Sequence, residues 1–165
     1  VVVQRRQFLS SAALVAAAAS ISSAAEAEDD ATVLIQRFAT TLSAHDMTAF
    51  ADLFADDYIN HQKSAAAPAP PAGKSAKQAT LAFFQARLTG IPDLRVTVET
   101  SLASGDKTAA SFVYEGEHGG VYFGVAPTGK PLRFTSCDIF RVRDGRIVEH
   151  WGMGDIAGVL AQLKG

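Results

Sequence analysis

One cysteine, one tryptophan and two methionines in 165 residues remove several classes of protein at once. A lone Cys137 forms no internal disulfide, and one cysteine with four histidines at no H-x-x-x-H or comparable spacing gives no zinc signature. A formal charge of −2 leaves no basic footprint, so nucleic acid is not an expected partner. The longest apolar stretch, alanine-rich from Ala12 to Ala19, is too short to span a bilayer comfortably. No G-x-S-x-G elbow marks a serine hydrolase. The one glycine-rich segment, Gly119 to Lys130, lacks the strand–GxxxxGK–helix setting of a phosphate loop. No cofactor motif is present. What the chain does have is a 48% apolar composition with ten phenylalanines, enough for the core of one domain.

The first residues read as a targeting segment. Arg5-Arg6-Gln7-Phe8-Leu9 precedes the alanine-rich stretch, and Ala25-Glu26-Ala27 follows as an A-x-A-like cleavage site. The paired arginines resemble a twin-arginine export signal. Residues 1–27 are therefore expected to be removed, with cleavage after Ala25 or Ala27. A single domain over 28–165 would remain, periplasmic or secreted and without a membrane anchor.

Past that point the apolar period is helical. Val33, Leu34, Phe38, Leu42 and His45 recur at helix spacing. Asp46 is an N-cap for a second short helix carrying Met47, Phe50, Leu53 and Phe54. Tyr58 to His61 reads as a short strand. Lys63 to Lys74, with Pro68, Pro70 and Pro71, excludes regular structure. Ser75 and Gln78 form a capping box for a helix through Leu81, Phe84 and Leu88 to Gly90. From Ile91 the period becomes two. If a three-residue loop around Gly105 joins the first two strands, Val98 pairs with Phe112 and Val96 with Tyr114, which keeps one face apolar. Asp155 caps a last helix bearing Ile156, Val159, Leu160 and Leu163. Helices first and antiparallel strands later predict an α+β fold, a strongly curved sheet wrapped over the helices around a pocket.

The chemistry centres on Phe134 to Trp151. Asp144-Gly145 between two alternating runs is a strong hairpin signal. With a two-residue loop, Arg143 pairs with Arg146, Val142 with Ile147, Phe140 with Glu149 and Asp138 with Trp151. That register puts Asp138, Phe140, Glu149 and Trp151 on the inner face. Cys137 and His150 fall on the outer face, where Cys137 suits an interface. A carboxylic acid on an apolar face beside an indole suits general acid/base work, since desolvation favours its neutral form and the indole N–H can hydrogen-bond it.

Several segments in this order resemble the SnoaL-like polyketide cyclase (ester cyclase) family of the nuclear-transport-factor-2-like superfamily. They are Phe54 to His61 (FADDYINH), Ile91-Pro92-Asp93, Gly116 to Gly120 (GEHGG), Gly124 to Gly129 (GVAPTG), Asp138 to Arg141 (DIFR) and Asp144 to Trp151 (DGRIVEHW). The resemblance covers about Thr32 to Leu163. It implies a cone-shaped α+β barrel with a cofactor-free pocket and frequent homodimers or higher oligomers through the outer sheet face. It also implies aldol-type cyclisation with an aspartate as general acid/base. The positions that match are Asp138 as the acid/base, with His118 and Asn60 assisting. Tyr58, His61, Phe84, Phe112, Tyr114, Tyr122, Phe140, Glu149 and Trp151 are the expected pocket lining. Asn60 and His61 cannot both point inward from one strand; Asn60 shares parity with Tyr58. Glu149 has a second reading as the partner of an arginine. Two functions follow: a cofactor-independent cyclase or isomerase acting on a small apolar carbonyl compound, or an exported protein of the same fold that holds a small hydrophobic ligand without turnover.

Overall fold

The computed structural model describes residues 29–62 and 70–165. The expected export signal and most of the proline-rich connection lie outside those residues. A first helix, α1 (29–43), is followed by α2 (Met47–Ala51) and strand β1 (Phe54–Asn60). Then come α3 (Ala76–Gly90), β2 (Arg95–Ser104), β3 (Lys107–Glu117), β4 (Pro131–Arg143), β5 (Arg146–Gly154) and α4 (Ile156–Lys164). The strands form one mixed sheet in the order β1-β5-β4-β3-β2, with β1 parallel to β5 and the other pairs antiparallel. The expected α+β class is the one observed. Among the described residues no helix is long and apolar enough to cross a membrane.

Local chemistry explains where the helices start. Asp46 accepts the Ala49 N–H and Asp155 accepts the Gly158 N–H. Ser75 and Gln78 make both bonds of the capping box, at 3.1 and 3.0 Å. The second helix is shorter than its apolar period suggested. It ends at Ala51, and Phe54 opens β1 instead, because its backbone is claimed by the sheet next to Ile147. Val33 also leaves the expected buried face and is 57% exposed; α1 buries Ala31, Leu34, Ile35, Phe38, Ala39 and Leu42.

The core lies between α1, α3 and the inner sheet face. Phe38 is its hub, with ring centroids of Phe50, Phe84, Phe112 and Phe140 between 4.9 and 5.5 Å away. Each such aromatic pair adds about 0.5–1.5 kcal/mol beyond burial.

Two registers position the site. Val96 pairs with Tyr114 and Val98 with Phe112, as the apolar face demanded, but not through a three-residue loop. The turn is the two-residue Gly105-Asp106, with Ser104 opposite Lys107. A bulge between Val98 and Thr100 then restores the pairing. The β4–β5 hairpin behaves differently. Its turn is as expected, with Asp144 and Gly145 both at positive φ, Arg143 opposite Arg146, and Val142 opposite Ile147. The register then slips by one residue. Arg141 faces Glu149, Phe140 faces His150, Ile139 faces Trp151 and Asp138 faces Gly152. Ile147 and Val148 are buried in succession, the mark of the bulge.

Candidate functional site

Because one slip exchanges the faces of a strand, the bulge turns His150 inward and Glu149 and Trp151 outward. The expected placement of those three is therefore corrected. Asp138 meets a histidine where an indole was expected. His150 Nε2 lies 2.7 Å from Asp138 Oδ1, and both side chains are over nine-tenths buried. The Phe140 ring stacks on His150 with centroids 4.9 Å apart. Gly152 makes room for the pair: a Cβ there would overlap both Asp138 Oδ1 and His150 Nε2.

The hydrogen-bond directions can be worked out from one fixed end. The Gln62 backbone N–H donates to Asn60 Oδ1 at 2.9 Å, which sets the Asn60 amide with Nδ2 towards Thr80, 3.5 Å away. Nδ2 only donates, so Thr80 Oγ1 accepts there and gives its own proton to the Tyr58 hydroxyl at 3.4 Å. Tyr58 in turn donates to His150 Nδ1 at 3.2 Å. His150 Nε2–H is left for Asp138 Oδ1. On the other oxygen, Ser136 Oγ donates to Asp138 Oδ2 at 2.6 Å and stands 3.3 Å from the Tyr114 hydroxyl. The result is one directional chain ending on a carboxylate held at both oxygens. Burial raises the Tyr58 pKa well above the ordinary phenol range, so it serves as a proton donor in the chain. Burial also pushes Tyr114 up to about 12, with the charge on Arg87 opposing the rise.

Asn60 faces inward with Tyr58, the alternative favoured by strand parity. His61 is on the other face. Its ring stacks on Trp151 at 4.5 Å and its Nε2 meets Glu149 Oε2 at 2.7 Å. Glu149 also takes Arg141 Nε at 2.7 Å, the ion-pair role that was its second reading. His61, above all, and Arg141 hold its carboxyl below the usual range.

His118 is fully buried but does not join the cluster. Its Nδ1 accepts the Thr128 N–H at 3.3 Å and lies 3.0 Å from Thr128 Oγ1, anchoring the glycine-rich connection. Among the described residues its Nε2 has no hydrogen-bond partner. It stands just past the end of β3, eight residues beyond Ala110, the residue opposite Asp138. At about 3.3 Å per residue that is roughly 26 Å of extended chain.

Of the other expected lining residues, Phe112 and Phe84 pack on Phe38 in the core. Tyr122 is buried and accepts Arg87 Nε at 3.2 Å. Sequence reasoning missed His150, Ser136, Thr80 and Arg87. Ser136 was within reach, since it precedes Asp138 by two residues and so shares its face. An open cleft bounded by His45–Thr48 and by Gln85, Leu88 and Thr89 shares no residue with the Asp138 cluster. Among the described residues no three His, Cys, Asp or Glu side chains converge as metal ligands would.

What the cluster can do is hold and move a proton: a carboxylate and an imidazole at 2.7 Å, fed by a relay of hydroxyls, in apolar surroundings. Solved structures share the architecture. IdmH from Streptomyces antibioticus, a candidate polyketide cyclase, is 33% identical over 81% of this chain and 98% of its own, with a TM-score of 0.69. AclR from Streptomyces galilaeus, a candidate hydroxylase, is 21% identical over 83% of this chain and 82% of its own, with a TM-score of 0.72. A Catenulispora acidiphila protein of ketosteroid isomerase-like fold is 20% identical over 79% and 92%, with a TM-score of 0.61. No curated protein sequence matches. The sequence profile of the SnoaL-like polyketide cyclases matches residues 32–163, nearly all of the chain described above, and the protein belongs to that family.

Proposed function

We propose that the protein is a cofactor-independent acid/base enzyme of the aldol cyclase or isomerase type, acting on a small apolar carbonyl compound. The observation that carries this reading is the buried Asp138–His150 hydrogen bond of 2.7 Å. Asp138 would take a proton from the carbon α to a carbonyl. The His150 Nε2–H would hold the carboxylate in place, and Asp138 would itself return the proton later in the cycle. The oxygen on which charge develops needs a donor within reach. Asn60 is committed to Gln62 and Thr80, and His118 is remote, so the Tyr114 hydroxyl beside Ser136 is the better-placed group. Membership of the family supports the reaction class, and the 33% identity with IdmH supports cyclisation over isomerisation.

The test is deuterium uptake from D2O at the α-carbon of a panel of aryl and cyclic ketones. The wild type should accelerate uptake on at least one, and Asp138→Asn should abolish that acceleration while ligand binding persists. Binding without exchange in the wild type would leave the non-catalytic ligand carrier as the function.

We further propose export of the mature chain to the periplasm or beyond, supported by the Arg5-Arg6 pair and the Ala25-Glu26-Ala27 site. N-terminal sequencing of the protein from its native host reads this directly. A homodimer through the outer sheet face is also proposed. Leu102, Ala109, Ile139 and Trp151 stand opposite one another across four strands. Leu102 and Ile139 in that row are 68% and 44% exposed. Sedimentation equilibrium should return two chains per particle.

A further inference from the structure

Among the described residues, Arg87 is a buried charge that the acid/base reading leaves without a task. It lies on the inner face of α3, one turn beyond Phe84, with 4% of its surface accessible. Its Cζ stands 4.5 Å from the Tyr114 ring centroid, 4.9 Å from Phe83, and 5.1 Å from both Phe84 and Phe134. Among the described residues no carboxylate comes within ion-pair distance of it. Its Nε donates to the Tyr122 hydroxyl at 3.2 Å, and its guanidinium also interacts with the Tyr114 hydroxyl.

A guanidinium removed from water needs a counter-charge and acceptors in its plane to replace its hydration. Four ring faces attract the charge but offer nothing to in-plane N–H groups. Burial works against the charged form here. The neighbouring oxygens of Tyr122 and Tyr114, together with the charge on Asp138, outweigh it, and the pKa lies above the ordinary arginine value. The cation is thus permanent, and Asp138, the carboxylate that acts on it, does so from beyond ion-pair distance. It is also next to the acid/base pair: the Tyr114 ring beneath it carries the hydroxyl that reaches Ser136, and Ser136 donates to Asp138.

We propose that Arg87 binds an anionic oxygen of the ligand, so that the substrate class is an apolar carbonyl compound bearing a carboxylate or an ionised enol or phenol. This rests on the reading of the inner face as a ligand site and narrows it. Arg87 sets which ligands enter, while Asp138, held by His150, acts on the carbon beside the carbonyl. The competing account is purely structural, a cation clamped between α3 and the β3–β4 pair by ring faces.

Calorimetric titration of the full-length protein with 2-naphthoate, methyl 2-naphthoate and 4-nitrophenol separates the two. The carboxylate should bind at least about tenfold more tightly than its neutral ester, as expected of a charge-assisted pair formed out of water. In Arg87→Met, which keeps an apolar stem among the rings, that gap should close. If ionised 4-nitrophenol gains over its neutral form while the naphthoate pair shows no gap, the anion is of the enolate or phenolate kind and the proposal stands. Three results would overturn it: no anion preferred by the wild type, no probe bound at all, or the same preference retained in Arg87→Met. Should Arg87→Met fail to fold, the wild-type comparisons and Arg87→Lys, expected to keep part of the preference, still decide. Asp138→Asn should retain the preference for the anion. An anion preference without deuterium exchange would therefore refute the acid/base reading and leave this one intact.

Discussion

Replacing Gly152 by alanine puts the pairing of Asp138 with His150 under direct stress. The added methyl would occupy the space where Asp138 Oδ1 and His150 Nε2 meet, so one of the two must move. Separating a buried charge-assisted hydrogen bond costs about 1.5–3 kcal/mol. Forcing an extra carbon into a packed interior costs about 1–3 kcal/mol. The two losses overlap, because the movement that breaks the bond also relieves the crowding, so roughly 3 kcal/mol is expected rather than their sum. For a domain of this size that lowers Tm by about 10 °C. Gly154→Ala is the matched control. It lies on the same strand and face, its Cβ would meet Ile156 and Ser136 only at ordinary van der Waals distances of 3.8 and 3.9 Å, and its cost should stay within about 0.5 kcal/mol. Thermal melts followed by circular dichroism give the stability difference. Imidazole 15N chemical shifts show whether His150 still carries its proton on Nε2. If Gly152→Ala melts within about 2 °C of Gly154→Ala and keeps the wild-type His150 shifts, the account of this site is wrong.

Two further outcomes test the surroundings. Tyr58→Phe removes the hydroxyl that donates to His150 Nδ1 and accepts from Thr80; it should cost about 1 kcal/mol in urea unfolding and move the His150 Nδ1 resonance towards that of an unbonded nitrogen. Glu149 has its carboxyl held below the usual value of 4.5 by His61 and Arg141. A depressed carboxylate contributes stability that is present above its unfolded pKa and is lost as pH falls through the folded one. The wild type should accordingly lose melting temperature more steeply than Glu149→Gln below about pH 4.5. Parallel curves for the two would show that the outer-face cluster contributes nothing to acid stability.

Much of this protein was written in local chemistry. The caps at Asp46, Ser75 and Asp155, the Asp144-Gly145 turn and the α+β class follow from propensity and period, which neighbouring residues decide among themselves. So does Asp138 as an inward carboxylate, because β4 alternates without interruption from Leu132 to Val142. The partner of Asp138 does not follow. Two strands bid for β5, with β4 on one edge and β1 on the other, and only the assembled sheet shows that Val148 is passed over. That single extra residue exchanges an indole for an imidazole beside the acid and sends Glu149 out to Arg141. One trace of it was present in the chain: the opposite charges of Arg141 and Glu149, and the small Gly152 opposite Asp138, are matched pairs only in the slipped register. The distance of His118 from the site, and the burial of Arg87 among rings from α3, β3 and β4, belong wholly to tertiary structure. They depend on strand length and on contacts far apart in sequence, where local pattern carries no information.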